Sequence, residues 1–76
     1  MNILVTGGSG FIATRLIDHL LLNSSFCVFS IDKLASRRQT TERFEEYIGS
    51  YLDPYVIDNI LPRVDIVIHL AAVHFD

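Results

Sequence analysis

A single cysteine, Cys27, rules out an internal disulfide, so the fold cannot be organised around covalent staples. Set in an apolar run, it reads as a small buried hydrophobe rather than a reactive thiol. No basic leader or small-residue cleavage site precedes the first apolar run. No apolar run approaches the roughly 18 residues that span a bilayer, so the expected setting is the cytoplasm, with no membrane partner. Basic charge is also scarce. Six Lys and Arg against nine Asp and Glu leave a net charge of −3, which gives no electrostatic reason to expect nucleic acid or an anionic lipid surface. Arg37-Arg38 is a pair, not a patch. The early glycines are not followed by Gly-Lys-Ser/Thr, which argues against a P-loop. Repeats, low-complexity stretches and linkers are absent as well, and 76 residues make at most one small domain.

What the chain does have is apolar side chains. They make up 50% of the residues, yet a body of this size buries only about 60% of its unfolded surface. The excess suggests strands meant to be covered on both faces by further polypeptide.

The chain is organised around Ile3-Leu4-Val5-Thr6-Gly7-Gly8-Ser9-Gly10-Phe11-Ile12-Ala13. Consecutive apolar residues run into small ones, and a segment of helical periodicity follows at once. The stretch reads as a buried strand, a tight turn and the first turn of a helix. Glycines suit a sharp turn whose backbone must approach something closely. A helix N-terminus, with unpaired N–H groups and the positive end of a dipole, suits a phosphate. Gly8-Ser9-Gly10-Phe11-Ile12-Ala13 fits G-x-G-x-x-G/A, the dinucleotide pattern, with Ala13 at the close helix–strand contact. Asp32 lies 22 residues after Gly10 at the end of a second strand-like run, where that pattern calls for an acid on the adenosine ribose.

Read in order, Asn2 to Val5 is a first strand. Ala13, Leu16, Ile17, Leu20 and Leu21 then form the apolar face of a helix ended by Asn23-Ser24-Ser25. His19 sits on its solvated side. Phe26 to Ile31 is a second strand closed by Asp32, parallel to the first through a right-handed crossover. Lys33 to Thr41 is a polar loop. Thr40 or Thr41 is expected to cap a short helix through Tyr47, with Glu42, Arg43, Glu45 and Glu46 solvated. A weak third strand is placed within Glu46 to Gly49. Pro54 opens a helix to about Leu61, with Asp53 as its cap, Val56, Ile57, Ile60 and Leu61 on one face, and Pro62 ending it. Asp65 to Ala72 is a fourth, continuously apolar strand. The fold class is therefore α/β, a Rossmann-type parallel sheet with flanking helices, the first half of a doubly wound fold in strand order 3-2-1-4.

Three blocks, Thr6 to Ala13, Ile31-Asp32-Lys33-Leu34 and Asp65 to Ala72, resemble the start of an extended short-chain dehydrogenase/reductase. More closely, they resemble the NAD-dependent epimerase/dehydratase family of nucleotide-sugar enzymes. That family writes them T-G-x-x-G-x-x-G, a D-N-L-like run and D-x-V-I-H-L-A-A. The resemblance implies that residues 1–76 are the N-terminal portion of an NAD(P)-binding domain whose catalytic and substrate parts lie elsewhere. It implies that Gly7, Gly10, Phe11, Ile12 and the backbone around Ser9 hold a pyrophosphate, with Asp32 and the neighbouring Lys33 at the adenosine ribose. Leu70, Ala71 and Ala72 would pass beside the cofactor. His69 is expected to be a packed, hydrogen-bonded histidine and not a catalyst.

Departures from the family pattern refine these expectations. Ala13 replaces the third glycine, and Ser50 stands in Gly49-Ser50-Tyr51-Leu52-Asp53 where an acid facing adenine is usual. Lys33 replaces an asparagine. With Arg37 and Arg38 it raises a 2′-phosphate partner as an alternative, but Asp32 would repel that phosphate, so NAD is expected over NADP. The family's Tyr-x-x-x-Lys pair is absent: Tyr47, Tyr51 and Tyr55 are followed four residues on by Tyr51, Tyr55 and Asn59. No catalytic residue and no metal site is assigned, and the chain alone is expected to be inactive. The expected function is that of the NAD-binding fragment of a nucleotide-sugar epimerase or dehydratase, homodimeric at full length, with the sugar nucleotide bound only there. The alternatives are a stand-alone nucleotide-binding or interaction module, or a fragment of a reductase acting on a non-sugar carbonyl.

Overall fold

The computed structural model describes residues 1–71. Ala72, part of the expected fourth strand and cofactor site, lies outside the described residues. Four strands, β1 (Asn2–Thr6), β2 (Cys27–Asp32), β3 (Phe44–Ile48) and β4 (Ile66–His69), form one sheet in the order β3-β2-β1-β4. Every pair is parallel. Order and direction match the expectation, and the reversal between β1 and β4 opens a crevice at their carboxyl ends.

Period-two alternation along the central strands feeds two cores. Ile3, Val5, Val28 and Phe44 face the helix α1 (Phe11–Asn23), meeting its Ala13 and Ile17. Leu4, Phe29 and Ile31 face the other way and meet Val56 and Ile60. The helical spacing placed Ala13, Leu16, Ile17, Leu20 and Leu21 on the face that meets the sheet, and of these Ala13 and Ile17 are fully buried while the others pack against the core partly exposed. At its end, α1 is closed by Ser24, whose N–H and hydroxyl both donate to the Leu20 carbonyl, at 3.2 and 2.6 Å. Cys27 differs from expectation. It opens β2 at the sheet margin and is half-buried, because the strand begins there and nothing packs over it fully.

The segment before β3 departs further. No helix forms between Thr41 and Tyr47. β3 begins at Phe44 instead, preceded by a tight turn in which the amide and carbonyl of Thr41 pair with those of Phe44. The reason is tertiary. Phe44 is fully buried against α1, and Arg43 is not solvated: its guanidinium donates to the carbonyls of Phe26 (3.2 Å), Leu21 (3.1 Å) and Ser24. These are the carbonyls where α1 ends and β2 starts, a place where cationic donors are favoured. Glu46 likewise is half-buried and accepts the Ser36 N–H at 3.0 Å.

The following helix is capped as expected, with Asp53 Oδ1 accepting the Tyr55 N–H at 3.0 Å. Past its first turn it widens into a π-helix, Val56–Ile60, and then tightens into a 3₁₀ turn, Leu61–Arg63. Pro62 sits inside that turn rather than ending the helix. Val56 and Ile60 are buried, whereas Ile57 and Leu61 are exposed. β4 is shorter than expected, and its Ile66 and Val67 are exposed. Among the described residues, no helix is long and apolar enough to cross a membrane.

Candidate functional site

The crevice beyond the carboxyl ends of β1, β2 and β4 encloses about 750 Å³. Its floor is the glycine turn. The Gly7 and Gly8 amides donate to the Ile31 carbonyl at 2.7 and 3.2 Å, and the Gly10 amide returns to the Gly7 carbonyl at 3.0 Å. Gly7 has a φ of 72°, and a Cβ there would lie 2.8 Å from the Ala71 nitrogen. Both the backbone conformation and the close approach therefore require glycine. Gly8 is needed for a different reason: a Cβ would lie 1.7 Å from Ser30 Oγ. Ser30 is itself buried, and its hydroxyl has no hydrogen-bond partner among the described residues.

Gly10 is the N-cap of α1 in an extended conformation. No side chain caps the helix, and no acid occupies its first turn. The first N–H groups of α1 are thus left to whatever approaches from the crevice.

Asp32, at the end of β2, anchors the second wall. Its Oδ2 accepts the Ser9 N–H and its Oδ1 the Leu34 N–H, both at 3.0 Å, while the Ser9 hydroxyl donates to the Leu34 carbonyl at 2.6 Å. The carboxylate is thereby fixed, and each oxygen keeps lone-pair capacity for a further donor. The Ser9 amide, expected at a pyrophosphate, is occupied by Asp32 instead.

Of the residues singled out in the sequence, Gly7, Gly10, Asp32, Lys33, Leu70 and Ala71 line the crevice together. Phe11 and Ile12 do not. Their side chains are 74% and 69% exposed, so only their backbone, in the first turn of α1, is placed to contribute. Ile31, Leu34, Gly49, Ser50, Tyr51 and Leu52 complete the lining. The Gly49-to-Asp53 run was the available signal for the last four. Ser50 accepts the Leu52 N–H at 3.1 Å. Arg38 is unavailable to a ligand phosphate here, being paired with Asp18 at 2.6 Å and bonded to the Thr14 carbonyl at 3.2 Å.

Tyr47 and Tyr55 are placed for structure. Tyr47 donates its hydroxyl to Asp53 Oδ2 at 2.7 Å and stacks on Tyr55. The bond to a carboxylate holds the Tyr47 phenol above its usual range and, with the Tyr55 amide, holds Asp53 below the usual carboxylate range. A general-base tyrosine needs the opposite shift. His69 pairs with Thr6, its Nδ1 2.6 Å from the hydroxyl, and meets the ring of Tyr51 edge-on. It is hydrogen-bonded as expected, though exposed rather than packed.

Sheet order, glycine turn and strand-end acid together have the form of the first half of a Rossmann-type α/β fold. Comparison with known proteins narrows the class. Residues 3–76 match the NAD dependent epimerase/dehydratase family, and the chain belongs to it. A dTDP-glucose 4,6-dehydratase of Haemophilus influenzae is 40% identical over 82 residues, covering 95% of this chain and 24% of that protein. A dTDP-D-glucose 4,6-dehydratase of Dictyostelium discoideum is 38% identical over 84 residues, covering 93% of this chain and 19% of that protein. Among solved structures, UDP-glucuronic acid 4-epimerase of Bacillus cereus in complex with NAD superposes with a TM-score of 0.79 at 31% identity, over 99% of this chain and 28% of that one. UDP-glucose 4-epimerase of Thermotoga maritima with UDP-glucose gives 0.76 at 37% identity, over 95% of this chain and 24% of that one. The chain spans about a quarter of the length of the curated relatives it matches.

Proposed function

We propose that residues 1–76 form the N-terminal part of the NAD-binding domain of a nucleotide-sugar epimerase or dehydratase. Two observations support the fit of a dinucleotide to these residues: the uncapped, acid-free first turn of α1, and the glycine turn lying against Leu70 and Ala71 with no room for a side chain at Gly7. The backbone from Gly10 through Phe11 and Ile12 would hold the diphosphate, and Asp32 the ribose hydroxyls, with Lys33 at the rim. When bound, NAD supplies a hydride acceptor and donor for a sugar carbon in the full-length protein. The work of this chain is to hold the adenosine and diphosphate half in a fixed orientation and to leave the other half to later parts of the polypeptide.

The observation that carries the reading is the Asp32 carboxylate, held by two backbone amides at the strand end beside the helix N-terminus. NAD is favoured over NADP because a 2′-phosphate would meet that carboxylate while Arg38 is already paired elsewhere. Titration of the full-length protein with both dinucleotides tests this. Tighter binding of NAD, with catalysis on a dTDP- or UDP-sugar, is the expected result, and preference for NADP would reject the assignment.

A further inference from the structure

Thr6 and His69 end the two strands that flank the crevice, and their side chains form a closed hydrogen-bond system. Thr6 Oγ1 accepts the Ala71 N–H at 3.2 Å and shares the Leu70 N–H, at 3.1 Å, with its own carbonyl, also at 3.1 Å. A hydroxyl has two acceptor lone pairs and one proton to give. With both lone pairs engaged, the 2.6 Å contact to His69 Nδ1 leaves one arrangement: the Thr6 hydroxyl donates and Nδ1 accepts. The imidazole is then neutral, with its proton on Nε2. The two amides it helps to fix belong to Leu70 and Ala71, which line the crevice, and Ala71 is the residue that closes on Gly7.

We infer that His69 is a positioning residue for the dinucleotide site, accepting the Thr6 hydroxyl proton so that Thr6 holds the Leu70–Ala71 amides against the glycine turn, and that dinucleotide affinity therefore falls when His69 is protonated. The inference rests on the proposed dinucleotide function of the crevice. An Nδ1–H would face an oxygen whose lone pairs are both in use, so hydroxyl or ring must turn away and the crevice wall loses a fixed point. Among the described residues, two groups meet the ring. Tyr51 presents its ring to the imidazole, with centroids 4.8 Å apart, from the segment after β3. Thr6 faces it from β1. Neither ion pair among the described residues involves His69. A bound diphosphate would attract a charged imidazole and so oppose the effect. His69 as a residue is exposed, and attractions at exposed positions are weak and salt-screened, so loss of the hydrogen bond decides the sign.

The test is NAD affinity of the full-length protein over a pH series run downward from neutral. Wild type should weaken by about three- to tenfold on acidification, the worth of one hydrogen bond. His69→Asn keeps an acceptor near the position of Nδ1 without titrating, and should hold near-wild-type affinity across the range. His69→Phe keeps an aromatic ring beside Tyr51 but no acceptor, and should be weak and pH-independent. Wild-type affinity in His69→Phe, or a wild-type pH profile in His69→Asn, would overturn the inference. Nitrogen NMR of the wild-type imidazole at neutral pH adds a test that needs no variant: an unprotonated, accepting Nδ1 supports it, and a protonated Nδ1 overturns it. Absence of NAD binding at every pH would reject the proposed function instead, while the NMR result would still judge the Thr6–His69 bond.

Discussion

Asp32 has two tasks, and its substitution should show both. It faces the crevice, and it also accepts two backbone amides that hold Ser9 and Leu34 in place. Asp32→Ala in the full-length protein should weaken NAD by roughly ten- to a hundredfold, the worth of a charged hydrogen-bond partner. It should also lower the melting temperature, because two amides lose their acceptor. Titration calorimetry and a thermal melt separate the two effects, and unchanged NAD affinity would remove Asp32 from the site. Gly8 and Ser30 make a second pair. Gly8→Ala places a methyl into the Ser30 hydroxyl and should cost about 1–3 kcal/mol, as overpacking does. Combining it with Ser30→Gly should cost less than the two single changes added, a coupling that a denaturant double-mutant cycle would read. Ser30→Ala alone removes a buried, unpartnered hydroxyl and should leave stability unchanged or slightly raised. The glycines and Asp32 were legible in the sequence because their demands are local: a positive φ, a strand end, a fixed spacing. Arg43 was not. Its three acceptors lie 17 to 22 residues away, and no local pattern marks an arginine that closes the end of a helix it does not belong to.

At the scale of elements, β1, β2 and β4 were readable as continuous apolar runs bounded by small or polar residues, and α1 from its helical period. The region from Thr41 to Tyr47 misled because Glu42, Arg43, Glu45 and Glu46 look like a solvated helical face. What decides the matter is Phe44, buried under α1, and the ladder with β2 that pairs Val28 with Phe44 and Asp32 with Ile48. Tertiary pairing overrode propensity. The widening of the second helix at Val56 was equally hidden, since Val56 and Ile60 keep a spacing that suits either winding.

The Tyr47–Asp53 bond, which ties β3 to the start of that helix, makes the junction pH-sensitive. The folded state holds Asp53 below its unfolded value, so this contribution is present above the ordinary carboxylate range and lost as pH falls through the lowered value. Tyr47 is held above its unfolded value, so its contribution is present below the ordinary phenol range and lost as pH rises through the raised value. Asp53→Asn should flatten both limbs of a stability–pH curve, because the carboxylate is also the main cause of the Tyr47 shift, and Tyr47→Phe should flatten the alkaline limb and part of the acid one. Unfolding by urea at a series of pH values measures this directly.

For the molecule as a whole, the apolar excess in the composition reappears as uncovered surface. Ile66 and Val67 on β4 are 42% and 49% exposed, and among the described residues β4 pairs with β1 alone, leaving its other edge open. A short edge strand with apolar side chains in water invites association. Residues 1–76 by themselves should accordingly be marginally stable and prone to self-association, and a sharp, concentration-independent melt of a monomer in sedimentation would contradict that. The proposed function meets its test at this scale too, because on that reading the glycine turn, the α1 N-terminus and Asp32 would take adenosine and diphosphate and nothing beyond them. The most direct measurement is calorimetric titration of these 76 residues with NAD and with ADP side by side. Similar, weak affinity for both is the predicted result, since both present the same half to the same groups. A clear preference for NAD would mean that the nicotinamide end already has a pocket in this chain, contradicting the account.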